Sequence, residues 1–195
     1  MGEACGDQEM GAAASRDHDE DARLALASLQ QLLRLNFSNI EPLSRGPAEL
    51  LPHVCLGSAD QARDLRVMRS LGITHVLNCA AWSVHTGASF YEPLGIEYDE
   101  FQAEDTQGYN IFQHYSRMAT IADAAAKAKG RLLVHCEAGV NRSGTLCLAY
   151  YAMHTGTPLV ASAEYCKAQR GRICTNPAFQ LQLVEFAQNH QLQLR

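Results

Sequence analysis

At 195 residues the chain has room for one domain and some excess, since single domains usually run to about 100–150 residues. With 47% hydrophobic and 19% charged residues it can bury a core, which excludes wholesale disorder and a fibrous repeat. The net charge of −5 is uneven: residues 1–21 hold seven of the 21 acids and one of the 16 bases, so the remainder is near neutral and offers no basic face for nucleic acid.

Residues 1–21 mix Gly, Ala and acids without an apolar period and are expected to form a disordered acidic tail, leaving 22–195 as the folded domain. From Ala22, Leu24, Leu26, Leu29, Leu32, Leu33 and Leu35 recur near helical spacing through Phe37, the pattern of an amphipathic helix docked on its own domain. Beyond the turn-rich Glu41–Pro47, short runs at Val54–Gly57, His75–Cys79, Ile96–Phe101 and Arg131–His135 read as strands. Between and after them, Ala59–Leu71 (ended by Gly72), Asn110–Lys129 (closed by Gly130), Arg142–Met153, Leu159–Arg170 and Pro177–His190 read as helices. Strands alternating with helices of this length point to a mainly parallel sheet covered on both faces.

No run approaches the roughly 18–20 apolar residues that a membrane-spanning helix needs, and MGEACGDQEM lacks the form of a signal peptide. The expected address is cytoplasmic, with the nucleus as a second compartment, and no membrane partner is expected. Seven cysteines without a C-x-x-C pair fit free thiols better than a disulfide scaffold or a zinc site.

The segment His135-Cys136-Glu137-Ala138-Gly139-Val140-Asn141-Arg142-Ser143-Gly144 joins a strand to a helix, where open α/β sheets bind ligands. A short loop turned by Gly139 can aim successive backbone N–H groups inward, and the following helix adds its positive end. The planar guanidinium of Arg142 can grip two phosphate oxygens at once. The same donors stabilise a thiolate at Cys136, a nucleophile aimed at bound phosphorus. Glu137, Ala138, Gly139, Val140, Asn141 and Arg142 are thus the expected phosphate-binding loop.

HCEAGVNRS resembles the HCxxGxxRS signature of cysteine-dependent protein phosphatases. LPHVCLGSA, LGITHVLNCA, AEDTQGYNI and TNPAF are similar to segments of small atypical dual-specificity phosphatases, over roughly residues 50–186. The resemblance implies an α/β fold with a central mixed, mostly parallel sheet of about five strands flanked by helices. It also implies hydrolysis through a phosphocysteine with no metal and no cofactor. Members of the family carry an Asp about 30 residues before the cysteine, and Asp105 lies 31 residues before Cys136, so Asp105 is the expected general acid and then general base. By the same resemblance Ser143 assists release of the thiolate, while His135 is expected to support the loop structurally. Asp99, Glu100 and Glu104 are expected to be solvated neighbours.

No variable position of the loop is basic, and Glu137 is acidic, which disfavours polyphosphorylated inositides and favours phosphotyrosine, phosphoserine and phosphothreonine in proteins. Two other readings stay open. Asn141 and Gly144 look like the ending of the motif in RNA 5′-triphosphatases of the same superfamily, and a catalytically weak phosphoprotein-binding module is a third possibility. Arg170 and Arg172 either rim the pocket or, more ordinarily, are solvated.

Overall fold

Short apolar runs without polar alternation suit strands covered on both faces. In the computed structural model, which describes residues 6–34 and 43–195 with side chains from Asp19 onward, helix α1 (Gly6–Leu32) precedes strands β1 (Ala48–Leu51) and β2 (Val54–Gly57). Then come α2 (Ala59–Arg63), α3 (Leu65–Ser70), β3 (His75–Asn78), α4 (Ala88–Tyr91) and β4 (Glu97–Glu100). The second half holds α5 (Tyr115–Lys127), β5 (Leu132–His135), α6 (Arg142–Thr155), α7 (Leu159–Arg170) and α8 (Pro177–Asn189). The strands form one five-stranded sheet in the order β1-β2-β5-β3-β4, with β1 antiparallel to β2 and the other pairs parallel. This is the mixed, mostly parallel α/β sheet flanked by helices that the resemblance implies.

Side chains alternate across β5 in the usual way of strands. Leu132 and Val134 join the larger core with residues of α1, α5, α6, α7 and α8. Leu133 faces the other side, with Cys55, Val76, Met68, Ile73 and Tyr91. Strand β5, central in the sheet and buried along its whole length, therefore delivers its carboxyl end to a fixed place.

Besides the short α4, which was not expected, four local features differ from the sequence expectation. Strand β1, an edge strand that alternates between buried and less buried residues, lies in a stretch that carried no strand assignment. The helix expected over Ala59–Leu71 breaks at Asp64, which leaves helical geometry (φ −83, ψ 88) so that its carboxylate can accept from Arg66 N and Val67 N and cap α3. After α5 the left-handed residue is Lys129 (φ 54), not Gly130. Gly130 is small for another reason: a Cβ there would stand 2.1 Å from Thr74 Oγ1. Finally, α1 starts at Gly6 and not at Ala22, so residues 6–21 are helical where a disordered tail was expected. Ala12–Ala14 are strong helix formers and lower the cost of that extension.

Within α1, Ala25 and Leu29 are buried against α7 and α8, as is Leu33 just beyond its end. Lys167 Nζ donates to Leu32 O at 2.9 Å, closing the helix terminus. The expected continuation to Phe37 lies outside the described residues, as do residues 1–5.

Candidate active site

Cys136 follows β5 directly and is 2% exposed. Each of the next four carbonyls is held by the surrounding scaffold. Glu137 O accepts from Ala59 N at 3.0 Å, and Val140 O accepts from Cys174 N at 2.8 Å. Ala138 O and Gly139 O accept from Arg170, from Nη2 at 2.9 Å and Nε at 3.1 Å. Because the peptide unit is planar and trans, a carbonyl drawn outward turns the adjoining N–H inward. The amides of Ala138, Gly139, Val140 and Asn141 therefore line one concave cradle above Cys136, a geometry that binds anions.

Gly139 is required at its position. It has φ +66, and a Cβ there would meet Gly57 O at 2.2 Å and Arg170 Nη2 at 2.6 Å. Helix α6 begins at the far end of the cradle with no side chain capping its first amides. Its N-cap residue, Asn141, is of a type that normally caps, but its side chain points elsewhere. The first N–H groups of α6 and the positive end of its dipole are thus left facing the cradle.

Ser143, fully buried in the first turn of α6, donates its hydroxyl to Cys136 Sγ at 3.2 Å. The Arg142 side chain is 11% exposed. It crosses the cradle mouth, Nη1 donating to Ala103 O at 3.3 Å and Nη2 to Glu137 Oε2 at 3.4 Å. Its Nε is buried and has no hydrogen-bond partner among the described residues. A guanidinium held by its edge atoms with an uncommitted inner N–H is arranged to take a further anion.

His135 lies beneath the loop, fully buried, with Nδ1 at 3.3 Å from Cys136 O. Burial pushes its imidazole down to about 4, so it is neutral at physiological pH. Its Nε2 has no hydrogen-bond partner among the described residues. Cys79 N donates to His135 O at 2.8 Å, which sets Cys79 on the strand end beside Cys136. Burial raises the Cys79 thiol well above its ordinary value and keeps it protonated.

Asp105 sits across the cradle on an exposed loop. Both of its carboxylate oxygens are held: Oδ2 accepts from Asn141 Nδ2 at 2.8 Å and Oδ1 from Asn176 Nδ2 at 2.9 Å. The neighbouring carboxylates are occupied otherwise. Asp99 pairs with Arg117, and Glu100 accepts from Tyr98 OH at 2.5 Å. Glu104 is exposed. Every residue singled out in the sequence around HCEAGVNRS, together with Asp105, thus falls in one cluster at the carboxyl end of the sheet.

The main residue that sequence reasoning misplaced is Arg170. It is neither on the rim nor solvated but 0% exposed beneath the loop. Besides the two loop carbonyls it donates to Ser44 Oγ at 2.9 Å and Gln61 Oε1 at 3.0 Å. Burial pushes its guanidinium down to about 10, still charged at neutral pH. An Arg in the last turn of a helix gives no sequence signal that separates this role from a solvated one. Asn176 was also missed, being legible only as the N-cap of α8, where its Oδ1 accepts from Ala178 N at 3.0 Å.

Residues 54–189 match the family model described as the catalytic domain of dual specificity phosphatases. The chain is 38% identical over 165 residues to dual specificity protein phosphatase 13B of Homo sapiens, covering 81% of this chain and 79% of that protein. It is 38% identical over 137 residues to dual specificity protein phosphatase 26 of Homo sapiens, covering 70% of this chain and 64% of that protein. Among solved structures it resembles that of DUSP15, with a TM-score of 0.68 at 28% identity, over 76% of this chain and 93% of the other. The cradle, the thiol beneath it and the carboxylate opposite thus belong to a chain that is a member of the dual specificity phosphatase family.

Proposed function

We propose that this protein phosphatase works through Cys136 as nucleophile, with Arg142 and the amides of residues 137–142 binding the phosphoryl group and Asp105 handling the proton. In the first step the Cys136 thiolate attacks phosphorus, the ester P–O bond breaks, and Asp105 passes its proton to the leaving oxygen. The inward amides and Arg142 stabilise the charge that spreads over the equatorial oxygens. In the second step the Asp105 carboxylate takes a proton from water as that water attacks the phosphocysteine. The P–S bond breaks, and the thiolate leaves with the Ser143 hydroxyl donating to sulfur.

The observation that carries the reading is the set of four successive loop carbonyls tied outward above a thiol that already accepts a hydrogen bond from Ser143. His135, neutral and buried, acts as support beneath the loop and not as a proton donor. Glu137, beside Arg142 on the cradle lip, opposes substrates with several adjacent phosphates, so phosphoprotein substrates carrying one phosphoester per site fit best. The buried free cysteines among the described residues fit a reducing compartment, cytoplasmic or nuclear.

The test is hydrolysis of a phosphotyrosine peptide, a phosphothreonine peptide and a 5′-triphosphorylated RNA, with chelator present, by the wild-type chain and by Cys136→Ser. Turnover of both peptides that vanishes in the variant, while inorganic phosphate still binds it, is the expected result. Hydrolysis that survives the substitution overturns the nucleophile, and turnover of the RNA alone replaces the substrate class.

A further inference from the structure

Asn141 is the N-cap residue of α6 and a member of the cradle, yet its side chain caps nothing. Its Oδ1 accepts from Thr175 N at 2.7 Å, Thr175 Oγ1 at 3.1 Å and Asn176 N at 3.1 Å. A nitrogen in that place could accept none of these, so the amide orientation is fixed and Nδ2 must face Asp105, to which it donates at 2.8 Å. The backbone of the same residue is held at the cradle, where Asn141 O accepts from Thr145 N at 2.8 Å. One short side chain therefore connects three segments: the phosphate cradle, the turn at Thr175–Asn176, and the exposed loop bearing Asp105.

Resting on the reading of Asp105 as the proton donor, we propose that Asn141 is a positioning residue that holds Asp105 over the cradle before substrate arrives. The loop needs such a tie. On the side of the sheet it is anchored by Ala103 N donating to Cys79 O at 3.2 Å, but from Glu104 to Gly108 the residues are exposed. Asn176, the N-cap residue of α8, supplies the second donor to Asp105 but reaches the cradle only through its N–H on Asn141 Oδ1 and the neighbouring Cys174 N on Val140 O. Among the described residues, Asn141 is the one cradle residue whose side chain bonds the Asp105 carboxylate. Losing that tie leaves the cradle able to bind phosphate but lets the donor drift, and misplacement by about 1 Å can cost roughly 100-fold in rate.

The substitution that isolates this role is Asn141→Ser, whose side chain is too short to reach Asp105 and adds no charge to the cradle. Asn141→Asp serves as the second variant, since its carboxylate still accepts from Thr175 and Asn176 but faces Asp105 with a like charge, and thermal melting reports whether each one folds. Turnover is measured on a phosphothreonine peptide, whose alkoxide leaves poorly, and on 4-nitrophenyl phosphate, which needs little protonation. Competition by inorganic phosphate reports the cradle.

The expected result for Asn141→Ser is a fall in kcat of roughly 10- to 100-fold on the peptide with at most about a threefold fall on 4-nitrophenyl phosphate, and unchanged inhibition by phosphate, while Asn141→Asp loses at least as much on the peptide. In an Asp105→Asn background, Asn141→Ser should cost nothing further, because its effect runs through Asp105. For Asn141→Ser, equal losses on both substrates, weakened inhibition by phosphate, or a full additional loss in that background would overturn the proposal. If Asp105→Asn by itself depresses both substrates alike, the acid assignment falls, an outcome separate from failure of the Asn141 tie alone.

Discussion

The two halves of the active site are held in opposite ways. The cradle, residues 136–142, is fastened through its backbone: its carbonyls are tied to Ala59, Cys174 and the buried Arg170, and Cys136 and Ser143 are buried beneath it. The loop bearing Asp105 is exposed and fastened at its working residue by two side-chain amides. Under the proposed mechanism, the difference follows from the tasks. Stabilising a pentacoordinate phosphoryl group needs many fixed dipoles shielded from water, which favours burial. Passing a proton first to a leaving group and then from a water molecule needs access to solvent. Damage to the cradle should therefore reach stability and chemistry together, while damage to the acid loop should reach chemistry alone.

The largest effect expected from that contrast is at Arg170. Arg170→Met removes a buried fork and strands the carbonyls of Ala138 and Gly139, while Ser44 Oγ and Gln61 Oε1 lose one partner but keep Gly46 O and Ser58 N. Unpaired buried acceptors cost about 1–3 kcal/mol each, and incomplete relaxation puts the total on the order of 3–5 kcal/mol. Chemical denaturation should show that loss, and inhibition by inorganic phosphate should weaken in parallel because the inward amides lose their alignment. A variant that unfolds at the wild-type midpoint would show that Arg170 does not hold the loop.

Asp105→Asn should do the reverse. The position is exposed, so the unfolding free energy should change by no more than about 0.5 kcal/mol. Turnover of a phosphothreonine peptide should fall by roughly 100-fold, with a much smaller loss on 4-nitrophenyl phosphate. If Asp105→Asn destabilises the fold as strongly as Arg170→Met, the two halves are not mechanically distinct in the way the structure presents them.

The same contrast explains what could be read in the sequence. The cradle is legible because its chemistry is compressed into ten consecutive residues, where Cys136, Gly139, Arg142 and Ser143 each have a spacing that only an anion-binding strand–loop–helix turn requires. Strands β2, β3 and β5 are legible because burial on both faces leaves short apolar runs, β4 is marked only by the apolar residues that flank it, and most helices are legible from one-faced apolar spacing. What stays hidden is whatever depends on distant partners. Arg170, 31 residues from Gly139, is buried because the segment at Ser44, α2 and the loop converge on it. Asn141 reads as an ordinary cap or as a variable motif position, and its tie to Asp105 appears only when the chain brings 105, 141 and 176 together. The break at Asp64 escapes periodicity because apolar spacing continues across it, and only the aspartate's preference for capping over propagating a helix marks it.

The smallest expected effect concerns the floor beneath the cradle and depends on pH. His135 is neutral in the folded chain because burial lowers its pKa to about 4, whereas the unfolded chain titrates near 6.5. His53 and His114 are lowered in the same direction, chiefly by burial. A base with a depressed folded pKa leaves the unfolded state holding more protons, so its contribution is complete above about pH 6.5 and is lost as pH falls toward 4. Between pH 7 and pH 6 only the upper edge of that window is crossed, and His135 should account for a loss of about 0.7 kcal/mol. Denaturant unfolding at the two pH values, compared between the wild-type chain and His135→Gln, reads this directly. The wild type should lose more stability than the variant on acidification. An identical loss in both would mean that the imidazole under Cys136 is not held neutral by its burial, and the rigid half of the site would then contain a titrating group in the range where the enzyme works.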